Sequence, residues 1–100
     1  MDQCLLSLIV SPAIENAIID WLLERDDIPG FTSVPISGHG TSTETLSLSE
    51  QVAGHRRQVL FRMCLPLAVA YTVLAEVQTS FRGSGMHYWL MPVLASGHID

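Results

Sequence analysis

The sequence predicts an α+β fold whose six elements follow the order βαββαβ. Two segments carry apolar residues at the spacing of an amphipathic helix, and four short apolar or alternating runs have the length of strands. Two such β-α-β units build a ferredoxin-like antiparallel sheet with both helices on one face and the first and third strands in the middle. We expect residues 1–100 to form a single domain with one long loop at 38–54.

The first unit begins with an almost uninterrupted apolar run at residues 4–10, which fits a strand buried on both faces. Ser11 can cap a helix, and Pro12 suits the first helical turn. The helix is expected to end near residues 25–27, before Pro29. Its apolar stripe consists of Ile14, Ala17, Ile18, Trp21 and Leu22.

Two further strands, residues 31–37 and 57–65, flank the polar loop 38–54. Seventeen residues make a long connection for a compact domain, and such loops tend to be functional or mobile. Pro66 is expected to open the second helix, and residues 86–94 form the last strand. The stripe of the second helix consists of Ala70, Val73, Leu74, Val77 and Phe81.

Glycine turns stand at the end of the second strand and at the start of the fourth. They are Gly38-His39-Gly40 and Gly83-Ser84-Gly85. Glycine permits positive φ and lets a ligand approach backbone N–H groups closely. Two such turns, far apart in sequence, predict one cleft for a small molecule or an ion.

Composition argues against several classes of function. The chain has no lysine and a net charge of −5, whereas nucleic-acid binders need a basic surface. The longest nearly uncharged run, residues 63–75, is shorter than the roughly 20 residues that span a bilayer. Two cysteines imply no disulfide framework, and the N-terminus lacks the basic start of a signal peptide, so we expect a cytoplasmic protein. No catalytic motif is visible, which predicts a protein that is not an enzyme.

The predicted sheet implies self-association. Its first strand is apolar on both faces, and much of the third and fourth strands is as well, yet two helices cover only one face. A large apolar patch is rarely left open on a monomer. A copy of the same chain is the expected cover, and the alternative is a loop folded over the sheet.

The order and spacing of these motifs resemble the PII signal-transduction superfamily over nearly the whole chain. The segments that carry the resemblance are Gly30-Phe31-Thr32, Ile36-x-Gly38-x-Gly40, Gly83-x-Gly85 and Pro92-Val93. Two other segments are most similar to small PII-like proteins of unknown function encoded beside heavy-metal efflux pumps of the RND type. These are residues 49–54 and His87-Tyr88-Trp89.

The resemblance implies a homotrimer with inward-facing sheets, ligand clefts between subunits, and a partner-contacting loop at 38–54. The positions that bind nucleotide in PII proteins correspond in this chain to Gly38, Gly40, Gly83, Ser84 and Gly85. His39 lies among them and is a further candidate ligand contact. The chain also departs from the PII pattern. Ser42 stands where PII proteins have a glutamine, Met86 replaces a phosphate-binding lysine, and the C-terminal arginines are absent. We therefore expect ATP to bind weakly or not at all.

Four residues are candidate ligands for a soft metal ion: Cys4, Cys64, His39 and His87. Antiparallel pairing of the first and third strands is expected to bring the two thiols near each other. The alternatives are two buried apolar cysteines, a solvent-exposed turn histidine and a strand histidine at an oligomer interface.

These observations favour a PII-like trimeric regulator that senses a small ligand, a small nucleotide or a metal ion. It would act by contact on a partner, such as a membrane transporter of a heavy-metal efflux system. The competing interpretation is a cytosolic metal-binding or metal-tolerance protein similar to the CutA-like trimers, in which the metal is cargo.

Overall fold

The computed structural model of the chain describes residues 2–40 and 55–100. Most of the predicted loop, residues 41–54, lies outside the described residues. The predicted order βαββαβ is confirmed, with a short 3₁₀ turn at Pro12–Ile14 before the first helix. The elements are β1 (Gln3–Val10), α1 (Glu15–Leu23), β2 (Thr32–Gly38), β3 (Arg56–Pro66), α2 (Leu67–Ser80) and β4 (His87–Val93).

The four strands form one antiparallel sheet in the order β2-β3-β1-β4. The two central strands pair along their full common length, from Gln3 opposite Pro66 to Val10 opposite Val59. As predicted, the first and third strands occupy the centre. β2 and β4 are the edge strands, so the glycine turns that adjoin them lie at opposite edges of the sheet.

The two prolines predicted to open helices behave differently. Pro12 starts the 3₁₀ turn, and the Ser11 side chain accepts a hydrogen bond from the Ala13 amide at 3.3 Å. Pro66 instead ends β3 in an extended conformation, and α2 begins one residue later. Because Leu67 donates its amide to the Asp2 carbonyl at 3.0 Å, the start of α2 is fixed to the start of β1.

The core lies between the helices and one face of the sheet. Phe61 and Leu6 are fully buried there, against Ile18 of α1 and Val73 of α2. Every second residue of β1 and β3 contributes to this face, as expected for strands whose side chains alternate. The alternating set is Cys4, Leu6, Leu8, Val10, Val59, Phe61, Met63 and Leu65.

The opposite face carries no helix but bears several large apolar side chains, and we call it the open face. Strand alternation and register place Leu5, Leu60, Val34, Trp89 and Met91 on it. Trp89 is 52% exposed and Met91 is 48% exposed, although both are large apolar side chains. The expectation that the helices cover only one face is therefore confirmed.

Arg25 links the end of α1 to α2. It donates two hydrogen bonds to Asp27, at 2.9 and 2.8 Å, and forms an ion pair with Glu76 of α2. Its guanidinium also lies 4.8 Å from the centre of the Trp21 ring. The hydrogen bonds from Arg25 hold the pKa of Asp27 below its ordinary value.

We predict that this link makes stability depend on pH in the acid range. A carboxyl with a lowered folded-state pKa contributes stability above its ordinary value of 3.8 and loses it as the pH falls through the lower value. At pH 7, Arg25→Gln should lower the free energy of unfolding by about 1 kcal/mol. Urea unfolding of both proteins over decreasing pH should show this difference shrinking below pH 3.8. A constant difference would contradict the role of Asp27.

Candidate functional site

The turn between α2 and β4 has the backbone conformation that the sequence predicts. Gly83 has φ +82° and Gly85 has φ +77°, and these are the glycines with positive φ among the described residues. The turn is closed by hydrogen bonds from the Ser84 amide to the Phe81 carbonyl at 3.2 Å and from the Met86 amide to Ser84 Oγ at 3.3 Å. Neither bond uses the amides of Gly83 and Gly85, for which no hydrogen bond is seen to another described residue.

A cleft of about 290 Å³ opens directly over this turn. Its floor is apolar, formed by Leu8, Leu74 and Val77, and its rim carries the polar side chains of Gln78 and Arg82. A small pocket with an apolar floor and a few polar groups is typical of a ligand site. Arg82 supplies positive charge to this rim, a role that sequence analysis did not assign.

The turn after β2 is built differently. Gly38 is the last residue of β2 and lies opposite Arg56, and both Gly38 and Gly40 have ordinary negative φ. A side chain at position 38 would collide with the side chain of Gln58 on β3. Close approach by a neighbouring side chain explains the glycine at position 38, whereas none of the described residues comes that close to Gly40.

Within one subunit, the two glycine turns lie at the same end of the sheet but do not meet. β2 and β4 are separated by the two central strands, so three strand spacings, roughly 14 Å, lie between them. The cleft at Gly83–Gly85 contains no residue of the turn after β2. One ligand could contact both turns only if the second turn came from a neighbouring subunit.

His39 faces another histidine rather than the remaining candidate metal ligands. The rings of His39 and His55 have centroids 5.9 Å apart and planes inclined by 47°. Sequence analysis selected His39 but not this partner. The register of β2 and β3 could have indicated this contact. Gly38 lies opposite Arg56, and continuing that register by one position places residue 39 opposite residue 55.

The two cysteines lie on adjacent strands but on opposite faces of the sheet. Cys4 pairs with Leu65, whereas Cys64 pairs with Leu5, so side-chain alternation separates the thiols. Cys4 is buried and donates to the Leu65 carbonyl at 3.4 Å, and burial, together with the nearby Cys64, raises the pKa of its thiol. Cys64 contacts Gln3 Oε1 at 3.9 Å from the open side.

His87 begins β4 opposite Ile9, on the open face and away from His39. The four candidate metal ligands are thus distributed over the core, the open face and the loop end of β2. Within residues 2–40 and 55–100, no three His, Cys, Asp or Glu side chains are grouped closely enough to hold a metal ion. In the same residues, no helix is long and apolar enough to cross a membrane.

Comparison with solved structures reproduces this architecture. The chain is similar to a DUF3240 family protein from Shewanella baltica OS155, with a TM-score of 0.80 and 24% identity over 98% of this chain and 97% of that chain. It is also similar to CPII, a nitrogen regulatory PII-like protein from Thiomonas intermedia K12, bound to ADP, AMP and bicarbonate. That TM-score is 0.71, with 19% identity over 99% of this chain and 98% of that chain.

The apo form of CPII is similar over 93% of this chain and 90% of that chain, with a TM-score of 0.67 and 18% identity. No protein with a curated description matches the chain significantly. The structural matches establish a PII-like fold. A family model described as "Protein of unknown function (DUF3240)" matches residues 1–100, and the chain therefore belongs to the DUF3240 family.

Proposed function

We propose that the chain is a PII-like regulatory protein, not an enzyme, and that it senses a small ligand in clefts between the subunits of a homotrimer. One observation carries this proposal: the two glycine turns share one end of the sheet but lie at opposite edges. The exposed apolar side chains of the open face supply a surface through which copies can associate. Association that joined the β2 turn of one subunit to the β4 turn of the next would complete a cleft.

The proposed ligand is a small nucleotide with few phosphates. The PII-like protein CPII has been solved with ADP, AMP and bicarbonate, and the apolar floor of the present cleft suits a base or sugar. Arg82 and the amides of Gly83 and Gly85 are groups that could hold a phosphate or another anion. Met86 replaces the phosphate-binding lysine expected from the PII pattern. The cleft therefore offers few cationic groups to neutralise the charge of each further phosphate.

The proposed output is contact with a partner protein through residues 38–54. The long loop starts at the β2 turn, so a ligand held at that turn would lie beside the proposed contact surface. The resemblance to PII-like proteins encoded beside heavy-metal efflux pumps suggests a membrane transporter as the partner and the cytoplasm as the place of action. Pull-down with the 38–54 loop deleted and with the complete chain tests this role.

We predict that ADP and AMP bind more tightly than ATP, as measured by calorimetry at fixed salt concentration. Arg82→Ala should weaken ADP binding by about 10- to 150-fold, the equivalent of about 1.5–3 kcal/mol for a charge-assisted hydrogen bond. Arg82→Lys, which keeps the charge but loses the planar fork, should lie in between. Tight ATP binding that Arg82→Ala leaves unchanged would show that the cleft at Gly83–Gly85 is not the nucleotide site.

A further inference from the structure

The His39–His55 pair stands where β2 and β3 emerge from the sheet. The last ladder pair is Gly38 opposite Arg56, and the next position of the same register places residue 39 opposite residue 55. Directly opposed residues of an antiparallel pair project from the same face. The end of the β2–β3 ladder therefore holds the two chain segments close together where the imidazoles meet.

The separation of the rings fits a shared metal ion. With a metal–nitrogen bond of about 2.1 Å, a ring centroid lies roughly 3.2 Å from the metal. Two imidazoles on one ion then have centroids between about 5.2 Å apart, at the tetrahedral angle, and about 6.4 Å apart, in a linear arrangement. The observed 5.9 Å falls inside this interval, so the separation of the rings is compatible with one shared ion.

The pair lies outside the core, at the margin of a groove. His39 is exposed and His55 is half-buried, and neither belongs to the core. His55 also lines a groove of about 750 Å³ between the start of the first helical segment and the β2–β3 edge. Ser11 and Glu15 line the same groove and offer oxygen atoms on its far wall. Imidazole is a ligand that suits borderline divalent ions.

We propose that His39 and His55 form a two-histidine binding site for a borderline divalent transition-metal ion such as Zn²⁺. The site excludes both cysteines and His87, which the fold places elsewhere. The inference deepens the proposed function by naming an ion as a second signal, and only this signalling role rests on that function. The site differs from the cleft at Gly83–Gly85, which lies at the other edge of the sheet.

Calorimetric titration with Zn²⁺ tests the site on the complete chain. We expect one ion per chain. His39→Gln and His55→Gln should each weaken Zn²⁺ binding by roughly 100-fold, because loss of a direct metal ligand should cost at least as much as loss of a residue that only orients a ligand. His87→Gln and His98→Gln are the matched controls, and we expect no change in either. Equal affinity in the wild type and in the His39→Gln, His55→Gln double variant would overturn the site and leave the pair as a cross-strand ring contact.

A second measurement needs no variant. Electron paramagnetic resonance of the Cu²⁺-loaded wild type should show two equivalent nitrogen ligands, and NMR should show selective broadening of His39 and His55 resonances. Broadening centred on His87 or His98 would contradict the proposal. ADP binding and sedimentation of the His55→Gln variant should remain as in the wild type, because His55 lies outside both glycine turns. Failure of the metal site is thereby distinguished from failure of the nucleotide cleft or of the trimer.

Discussion

Trp89→Asp is expected to dissociate the proposed trimer into monomers. Trp89 lies on the open face beside Met91, and burial between subunits would remove both large apolar side chains from water. An aspartate at this position would bury an unpaired charge, which costs several kcal/mol per interface. Sedimentation at micromolar concentration should give three times the 11.0 kDa chain mass for the wild type and the chain mass itself for the variant.

Tyr71→Asp provides the control for this experiment. Tyr71 is 58% exposed on α2, on the helical side of the sheet, so the same change in charge there should leave the trimer intact. A monomeric wild type would contradict the proposed assembly. Dissociation by Tyr71→Asp but not by Trp89→Asp would place the interface on the helices instead of the open face.

Phe61→Ala is expected to lower the free energy of unfolding by about 3–5 kcal/mol, a large part of the stability of a small domain. Phe61 is fully buried at the centre of β3, opposite Leu8. Its ring also contacts Phe31, with centroids 6.0 Å apart. Urea unfolding at one fixed protein concentration measures the change, since dissociation of an oligomer would add a concentration term.

Leu23→Ala is the matched control, because it also removes a large apolar side chain but from a residue that is 68% exposed. We expect its effect to stay within about 0.5 kcal/mol. If both variants lost the same stability, burial at Phe61 could not be the cause.

The fold was predictable because the spacing of apolar residues differs clearly between the helices and the strands. The stripe of α1 and the alternation around Phe61 point to different secondary structures within one short chain. The start of α2 was less predictable, since proline is compatible both with a first helical residue and with the extended residue before it. Pairing of Leu67 with Asp2, a contact between distant segments, favours the second outcome.

The side-chain geometry of the candidate sites required the register. Cys4 and Cys64 lie near the paired ends of β1 and β3, as expected, but a shift of one residue decides whether they share a face. The same register brings His39 and His55 together across 15 intervening residues, which no local motif indicates. The contribution of Arg82 likewise depends on how α2 ends over the Gly83 turn.

The central claim is that each ligand cleft combines the β2 turn of one subunit with the β4 turn of the next. Two variants separate these halves: Gly40→Phe adds bulk at a position that none of the described residues crowds, and Gly83→Val cannot easily keep φ +82°. Each variant alone should lose ADP binding while remaining trimeric. The mixed trimer then offers a direct measurement, because some of its clefts receive one intact half from each variant.

The two variants are mixed in equal amounts, unfolded and refolded together, and ADP binding is measured by calorimetry. About one quarter of the wild-type number of ADP sites should be recovered, because an intact β2 turn meets an intact β4 turn at about one quarter of the subunit interfaces. Recovery of this fraction would show that the cleft is shared between subunits. No recovery, with both variants folded and trimeric, would contradict the account, because it would place the whole ADP site within a single chain.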